Sequence, residues 1–231
     1  AGYLNMDKNA QIINRKADIN ITNSSGGAMN LDGSIYNLEG DDINIKNTST
    51  RGGITIGENA LINTQGNVNF ENYGMHGTKV QGKVVGNDIN IGNKDSHVYL
   101  GNPNELTTDD DIANLNAYND VNINIENGSL LNAGTKNTMI RTEKDLTINV
   151  NNGKIGVETG TSGGGYTYGP TGDQVDTAKS INIDVGGVIN AHTLDSKKTN
   201  GDYVINMASK GSDMNIDHIY AKIVMVIQVQ F

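Results

Sequence analysis

Polar and apolar residues alternate in a four-residue unit that recurs eight times along the chain. The copies are Asp18-Ile19-Asn20-Ile21, Asp42-Ile43-Asn44-Ile45, Asn67-Val68-Asn69-Phe70 and Asp88-Ile89-Asn90-Ile91. They continue as Asp120-Val121-Asn122-Ile123, Asp145-Leu146-Thr147-Ile148, Ser180-Ile181-Asn182-Ile183 and Asp213-Met214-Asn215-Ile216. Alternation of this kind predicts a strand with one buried face. The copies lie 21 to 35 residues apart. A strand signal at that pitch predicts a solenoid, whose repeats bury their apolar faces only by stacking.

Each repeat has room for one or two further short strands. Met29-Asn30-Leu31 and Ile35-Tyr36-Asn37-Leu38 follow the first copy, and Ile54-Thr55-Ile56 and Ala60-Leu61-Ile62-Asn63 follow the second. Gly, Asn, Asp and Ser separate these pieces, residues able to hold tight turns or a positive φ. The expected fold is all-β, a parallel β-helix of about eight to nine rungs. Its right-handedness follows from the usual crossover preference. At about 4.8 Å per rung, the body would be a rod roughly 40 Å long.

Stacking the copies in register predicts two inward columns. One is Ile19, Ile43, Val68, Ile89, Val121, Leu146, Ile181 and Met214. The other is Ile21, Ile45, Phe70, Ile91, Ile123, Ile148, Ile183 and Ile216. Between them runs an outward column of Asn20, Asn44, Asn69, Asn90, Asn122, Thr147, Asn182 and Asn215. An amide both donates and accepts, so this column is expected to form a structural ladder. The Asp-rich first position would repel itself on a flat face. It is expected at a corner, each carboxylate capping its own turn, with calcium as an alternative occupant. No cofactor is otherwise expected.

Residues 1–17 read as an N-terminal cap or partial rung, and 18–220 as the solenoid. Insertions interrupt it near 101–119 and 158–178. A short helix is conceivable at 109–119, although Asn disfavours it. The second insertion carries Tyr166 and Tyr168 in a Gly-rich setting, a candidate ligand loop. Residues 221–231 form an apolar strand pattern without Asn or Gly. Its alternate residues Ile223, Met225, Ile227, Val229 and Phe231 are a candidate assembly strand, or cap the solenoid.

Composition narrows the functional classes. Only 35% of the residues are hydrophobic, with 29 Gly, 2 Pro and no Trp, which suits a narrow core and not a round one. There is no Cys, which excludes disulfides and thiol chemistry. A net charge of −9 with three Arg argues against nucleic acid as a partner. No stretch is apolar enough for a membrane helix. No secretory leader is visible, which fits a cytosolic protein, a mature product or a segment of a larger one. His76, His97, His192 and His218 fall in separate repeats and suggest no metal site. No catalytic or nucleotide-binding motif is present. The acidic run Asp109-Asp110-Asp111 reads as a solvated loop.

Strings such as Gly66-Asn67-Val68-Asn69-Phe70, Asn87-Asp88-Ile89-Asn90-Ile91 and Gly187-Val188-Ile189-Asn190-Ala191 resemble the filamentous-haemagglutinin type of two-partner-secreted bacterial exoprotein. The resemblance covers most of 18–217. It implies a right-handed β-helix, an extracellular or cell-surface location, and adhesion. Asn102-Pro103-Asn104 resembles a motif of that family's secretion domain. It continues Glu105-Leu106, which departs from the family pattern, so that domain is not assigned. The expected function is a non-enzymatic surface or filament protein. Its partners would be further copies in a fibre, or a glycan or protein of a host surface. The alternative is a β-helical polysaccharide-active enzyme or carbohydrate-binding module. Sequons at Asn20, Asn23, Asn47 and Asn127 are candidate glycosylation points.

Overall fold

A computed structural model describes residues 2–101, 113–132, 138–142, 144 and 146–151. Beyond these it describes the strands Ile155–Val157, Ile181–Val185, Val188–His192, Leu194–Asp195, Tyr203–Met207, Asp213–Ile216, Ile219–Tyr220 and Val224–Gln228. The fold is an all-β solenoid of parallel strands. About five turns are complete, fewer than the eight to nine expected. Strands of further turns extend its three main sheets to seven, nine and eight members, and Leu194–Asp195 pairs with Ile219–Tyr220 in a separate two-stranded sheet.

Each turn contributes one strand to each sheet. The first sheet begins with Leu4–Met6, Met29–Leu31, Ile54–Ile56, Thr78–Val80 and Val98–Leu100. The second begins with Gln11–Asn14, Ser34–Asn37, Leu61–Thr64, Lys83–Gly86 and Ala113–Ala117. The third holds Ile19–Asn23, Ile43–Asn47, Val68–Asn72, Ile89–Lys94, Val121–Glu126 and Leu146–Asn151. Residues 4–14 therefore supply two sides of the first turn. Strand length sets how many side chains point inward. Ile54–Ile56 buries its two ends, and Ile43–Asn47 buries its first, third and fifth residues.

The core is a bundle of columns. Ile35, Ile62, Val84 and Leu115 stack in one, with register partners aligned from rung to rung. Ile45, Phe70, Ile91, Ile123 and Ile148 stack in another. Ile21 is only partly buried, and Ile216 ends the strand Asp213–Ile216, in register with Ala191. Ile62→Val removes one methylene from a site of zero exposure, between Ile35 and Val84. It is expected to cost about 1 kcal/mol, measured by urea unfolding.

Three expectations require correction. The Ser180-Ile181-Asn182-Ile183 copy belongs to the second sheet, where Ile181–Val185 pairs with Thr138–Thr142 and Tyr203–Met207. Its place in the third sheet is taken by Val188–His192, so Asn190 follows Thr147 and Ala191 follows Ile148. Ile183 and Asn182 leave the predicted columns accordingly. The physical reason is that every sheet demands the same alternation, so a quartet does not encode its sheet. Secondly, Ala113–Ala117 is a strand of the second sheet, not a helix; Leu115 and Ala117 are buried. Its Ala-Asn-Leu-Asn-Ala alternation has period two, which sheet pairing satisfies. Thirdly, the carboxylates of Asp18, Asp42 and Asp88 cap the following rung and not their own turns. Asp42 N–H donates to Asp18 Oδ1 (3.1 Å), Asn67 N–H to Asp42 Oδ1 (2.8 Å) and Asp120 N–H to Asp88 Oδ1 (3.1 Å). Each caps the next rung, so the corner is tied along the rod axis. Residues 102–112 and all of 158–178, with Asp109–Asp111, Tyr166 and Tyr168, lie outside the described residues.

Candidate functional site

The outward face of the third sheet carries the most ordered polar chemistry. Asn44 donates to Asn20 (3.0 Å), Asn69 to Asn44 (2.8 Å), Asn90 to Asn69 (2.8 Å) and Asn122 to Asn90 (3.0 Å). Every link runs from side-chain Nδ2 to the Oδ1 of the preceding rung. Asn215 occupies the same column through Asn190, three strands beyond Asn122 in the sheet.

A second Asn ladder lies inside the same strands, and the quartet pattern gave no reading of it. Asn23, Asn47, Asn72 and Asn93 hold the fifth strand position and are buried. Asn23 donates to Asn47 (3.0 Å) and Asn47 to Asn72 (2.8 Å), the reverse direction of the outer ladder. The remaining amide valences close the corner loop: Asn23 Nδ2 donates to Gly27 O, Asn47 Nδ2 to Ser49 O and Asn72 Nδ2 to Gly74 O. Asn93 accepts from the buried Thr78 hydroxyl (2.7 Å). The amide-to-amide links end at Asn72, whose Nδ2 also donates to Ser96 Oγ (3.3 Å), and the Asn column itself gives way to the apolar Ile125 after Asn93. The detectable signal was an Asn two residues beyond the quartet in four successive copies.

Burial also sorts the sequons. Asn23 and Asn47 are enclosed and fully engaged, so the folded chain cannot present them for modification. Asn20 and Asn127 are exposed. Asn127 adopts φ 54° directly above Asp95 at φ 56° and donates to its carboxylate (2.7 Å). Asn and Asp are the side chains that best tolerate this left-handed corner.

The fourth strand position forms a separate outward column: Thr22, Lys46, Glu71, Gly92, Asn124, Asn149. Lys46 pairs with Glu71, and its ammonium lies 5.7 Å from the Tyr73 ring centroid. Beside this column Lys94 pairs with Glu126 at 3.5 Å. At Gly92 the column has no side chain, and an open groove of about 400 Å3 results. Glu71, Tyr73, Lys94, Asn124 and Glu126 border it, and Asn72, Asn93 and Ile125 also line it.

The Glu71 hydrogen bond, and secondarily its charge, raise the Lys46 pKa above the ordinary 10.5. The pair's contribution is therefore full below that value and lost as pH rises through the folded pKa. The stability difference between wild type and Lys46→Met should stay constant from neutral pH to about 10 and vanish at higher pH. Denaturant titration at several pH values and salt concentrations checks this. Exposure makes the contribution small and salt-sensitive.

His97 accepts the Ser129 backbone N–H at Nδ1 (2.9 Å) and meets Tyr99 edge-on, ring centroids 5.7 Å apart. Among the described residues, no three His, Asp or Glu side chains are grouped to hold a metal ion. No helix among them is long and apolar enough to cross a membrane. Met225 and Ile227 lie in Val224–Gln228, which pairs with Tyr203–Met207, whereas Ile223, Val229 and Phe231 lie outside the described residues. No protein-family profile, curated protein or solved structure matches this chain.

Proposed function

We propose that this chain is a non-enzymatic bacterial surface or secreted protein, whose β-solenoid is a stiff rod that displays an adhesive face. The observation that carries this reading is the outer ladder, which links five consecutive rungs from Asn20 to Asn122 through four side-chain hydrogen bonds. Such a ladder resists shear between rungs and presents a regular amide surface. The resemblance to filamentous-haemagglutinin exoproteins supports the same reading. Beads coated with the folded chain should attach to cell surfaces, and beads coated with denatured chain should not. Equal attachment by both, or by neither, would overturn it. In its fibre form the reading rests on Val224–Gln228, the last strand of the second sheet. Filaments seen by negative-stain electron microscopy should disappear when residues 221–231 are deleted.

One observation favours a polysaccharide-active enzyme: Glu71 and Glu126 border the same groove. A general acid needs a desolvated carboxyl to keep its proton at neutral pH. Both side chains are about half exposed and each pairs with a lysine, which ranks this reading second. Depolymerisation of a polysaccharide by the wild type, abolished in the Glu71→Gln/Glu126→Gln variant, would reverse the ranking.

A further inference from the structure

We infer that the notch at Gly92 is a subsite for one ring of a neutral saccharide, held by a hydroxyl group between Asn124 and Glu71. The inference deepens the adhesive reading and rests on it for its biological setting.

Gly92 sits inside the strand Ile89–Lys94, where glycine weakens pairing and provides no packing. Two structural reasons for a glycine fail here. Its φ is not in the positive range. An added Cβ would meet only Phe70 O, at 3.7 Å, which is ordinary contact. The corner glycines differ: a Cβ on Gly74 would come within 2.0 Å of Gly52 O. The absent side chain at Gly92 thus opens space that the fold itself does not need.

That space borders a single amide link. Asn149 donates to Asn124 Oδ1 at 2.6 Å, with the same polarity as the outer ladder. The next link would run from Asn124 Nδ2 to an oxygen at position 92, and glycine offers none. Asn124 is exposed, so its Nδ2 is open to a group arriving from solvent. Glu71 stands in register on the far side of Gly92, two rungs from Asn124, or roughly 10 Å along the sheet. A donor and an acceptor therefore face one gap. A group that accepts from an amide and donates to a carboxylate is a hydroxyl.

The rim fixes the ligand class. Tyr73 is 46% exposed and supplies an aromatic surface for the C–H face of a sugar. Glu71 and Glu126, in a chain of net charge −9, oppose an anion. Lys46 and Lys94 already neutralise both carboxylates, which removes the driving force for a cation. A neutral polyhydroxyl ring satisfies all three conditions.

The test titrates the full chain with neutral oligosaccharides of glucose, mannose, galactose and N-acetylglucosamine, with a uronic-acid oligosaccharide alongside. Amide NMR signals of Gly92 and of the Asn124 side chain are followed. A neutral oligosaccharide should shift both signals. Gly92→Asn would complete the ladder and should weaken binding by about tenfold or more, since it occupies the donor and acceptor the hydroxyl needs. Its unchanged circular dichroism and an unfolding midpoint no lower than that of wild type would show that the fold is intact. Asn30→Ala on the first sheet should leave binding unaltered. The inference is overturned if no neutral oligosaccharide shifts these signals, if only the acidic one does, or if Gly92→Asn binds as wild type does. Cell attachment by a chain that binds no neutral oligosaccharide would remove the subsite and leave the adhesive rod standing. Sugar binding by a chain that attaches to no cell would do the opposite.

Discussion

Asn47→Ala should destabilise the solenoid by about 3 kcal/mol, several times the cost of Asn44→Ala three residues earlier. Both residues are ladder amides, but their surroundings differ. Asn47 has zero exposure and engages all of its hydrogen-bonding capacity. Its Oδ1 accepts from Asn23 (3.0 Å) and from Ser49 N–H (3.4 Å), and its Nδ2 donates to Asn72 (2.8 Å) and Ser49 O (3.0 Å). Alanine leaves the buried Ser49 N–H without an acceptor and opens a cavity that water cannot satisfy from several sides. Asn23 and Asn72 retain partial compensation, through Gly27 O and Gly74 N–H, which limits the loss. Asn44 borders solvent, and water replaces its partners, so its loss should be about 0.5 kcal/mol. Urea unfolding followed by far-ultraviolet circular dichroism separates the two. Equal effects would refute the assignment of the inner amides as the stronger brace.

The contrast also shows what the sequence makes legible. Period-two alternation exposed the inward and outward columns, because side-chain direction in a strand depends only on parity. It could not say which of three sheets a quartet enters, because all three ask for the same alternation. The Ser180 copy shows this: 35 residues separate it from the Asp145 copy, and after that longer interval it enters the second sheet. The inner ladder was missed for a related reason. An Asn in a short strand reads as outward by its polarity, yet Asn23, Asn47 and Asn72 point inward at odd positions and also serve the corner loops. Nothing in the sequence alone singles out Gly92. Its meaning appears only when the register sets it between Glu71 and Asn124.

Gly74→Ala should cost about 3 kcal/mol, while Gly92→Ala should stabilise by about 0.5–1 kcal/mol, although both add one methyl to a glycine of ordinary φ. At Gly74 the new Cβ would lie 2.0 Å from Gly52 O and 2.5 Å from Asn47 Nδ2. The first obstacle is backbone, and it recurs below, where a Cβ on Gly52 would lie 2.4 Å from Gly27 O. Neither atom can move without separating stacked rungs and pulling on the inner amide ladder. The strain therefore spreads to the corner bonds of Asn47 and Asn72 and is not relieved by a rotamer change. At Gly92 the methyl enters open space and the unfolded chain loses backbone freedom, which favours the folded state. Urea midpoints should move in opposite directions. If Gly74→Ala unfolds at the wild-type midpoint, rung contact at this corner does not depend on the missing Cβ. If Gly92→Ala destabilises, the strand needs glycine there for its own geometry, and the notch loses its argument as a vacancy kept for a ligand.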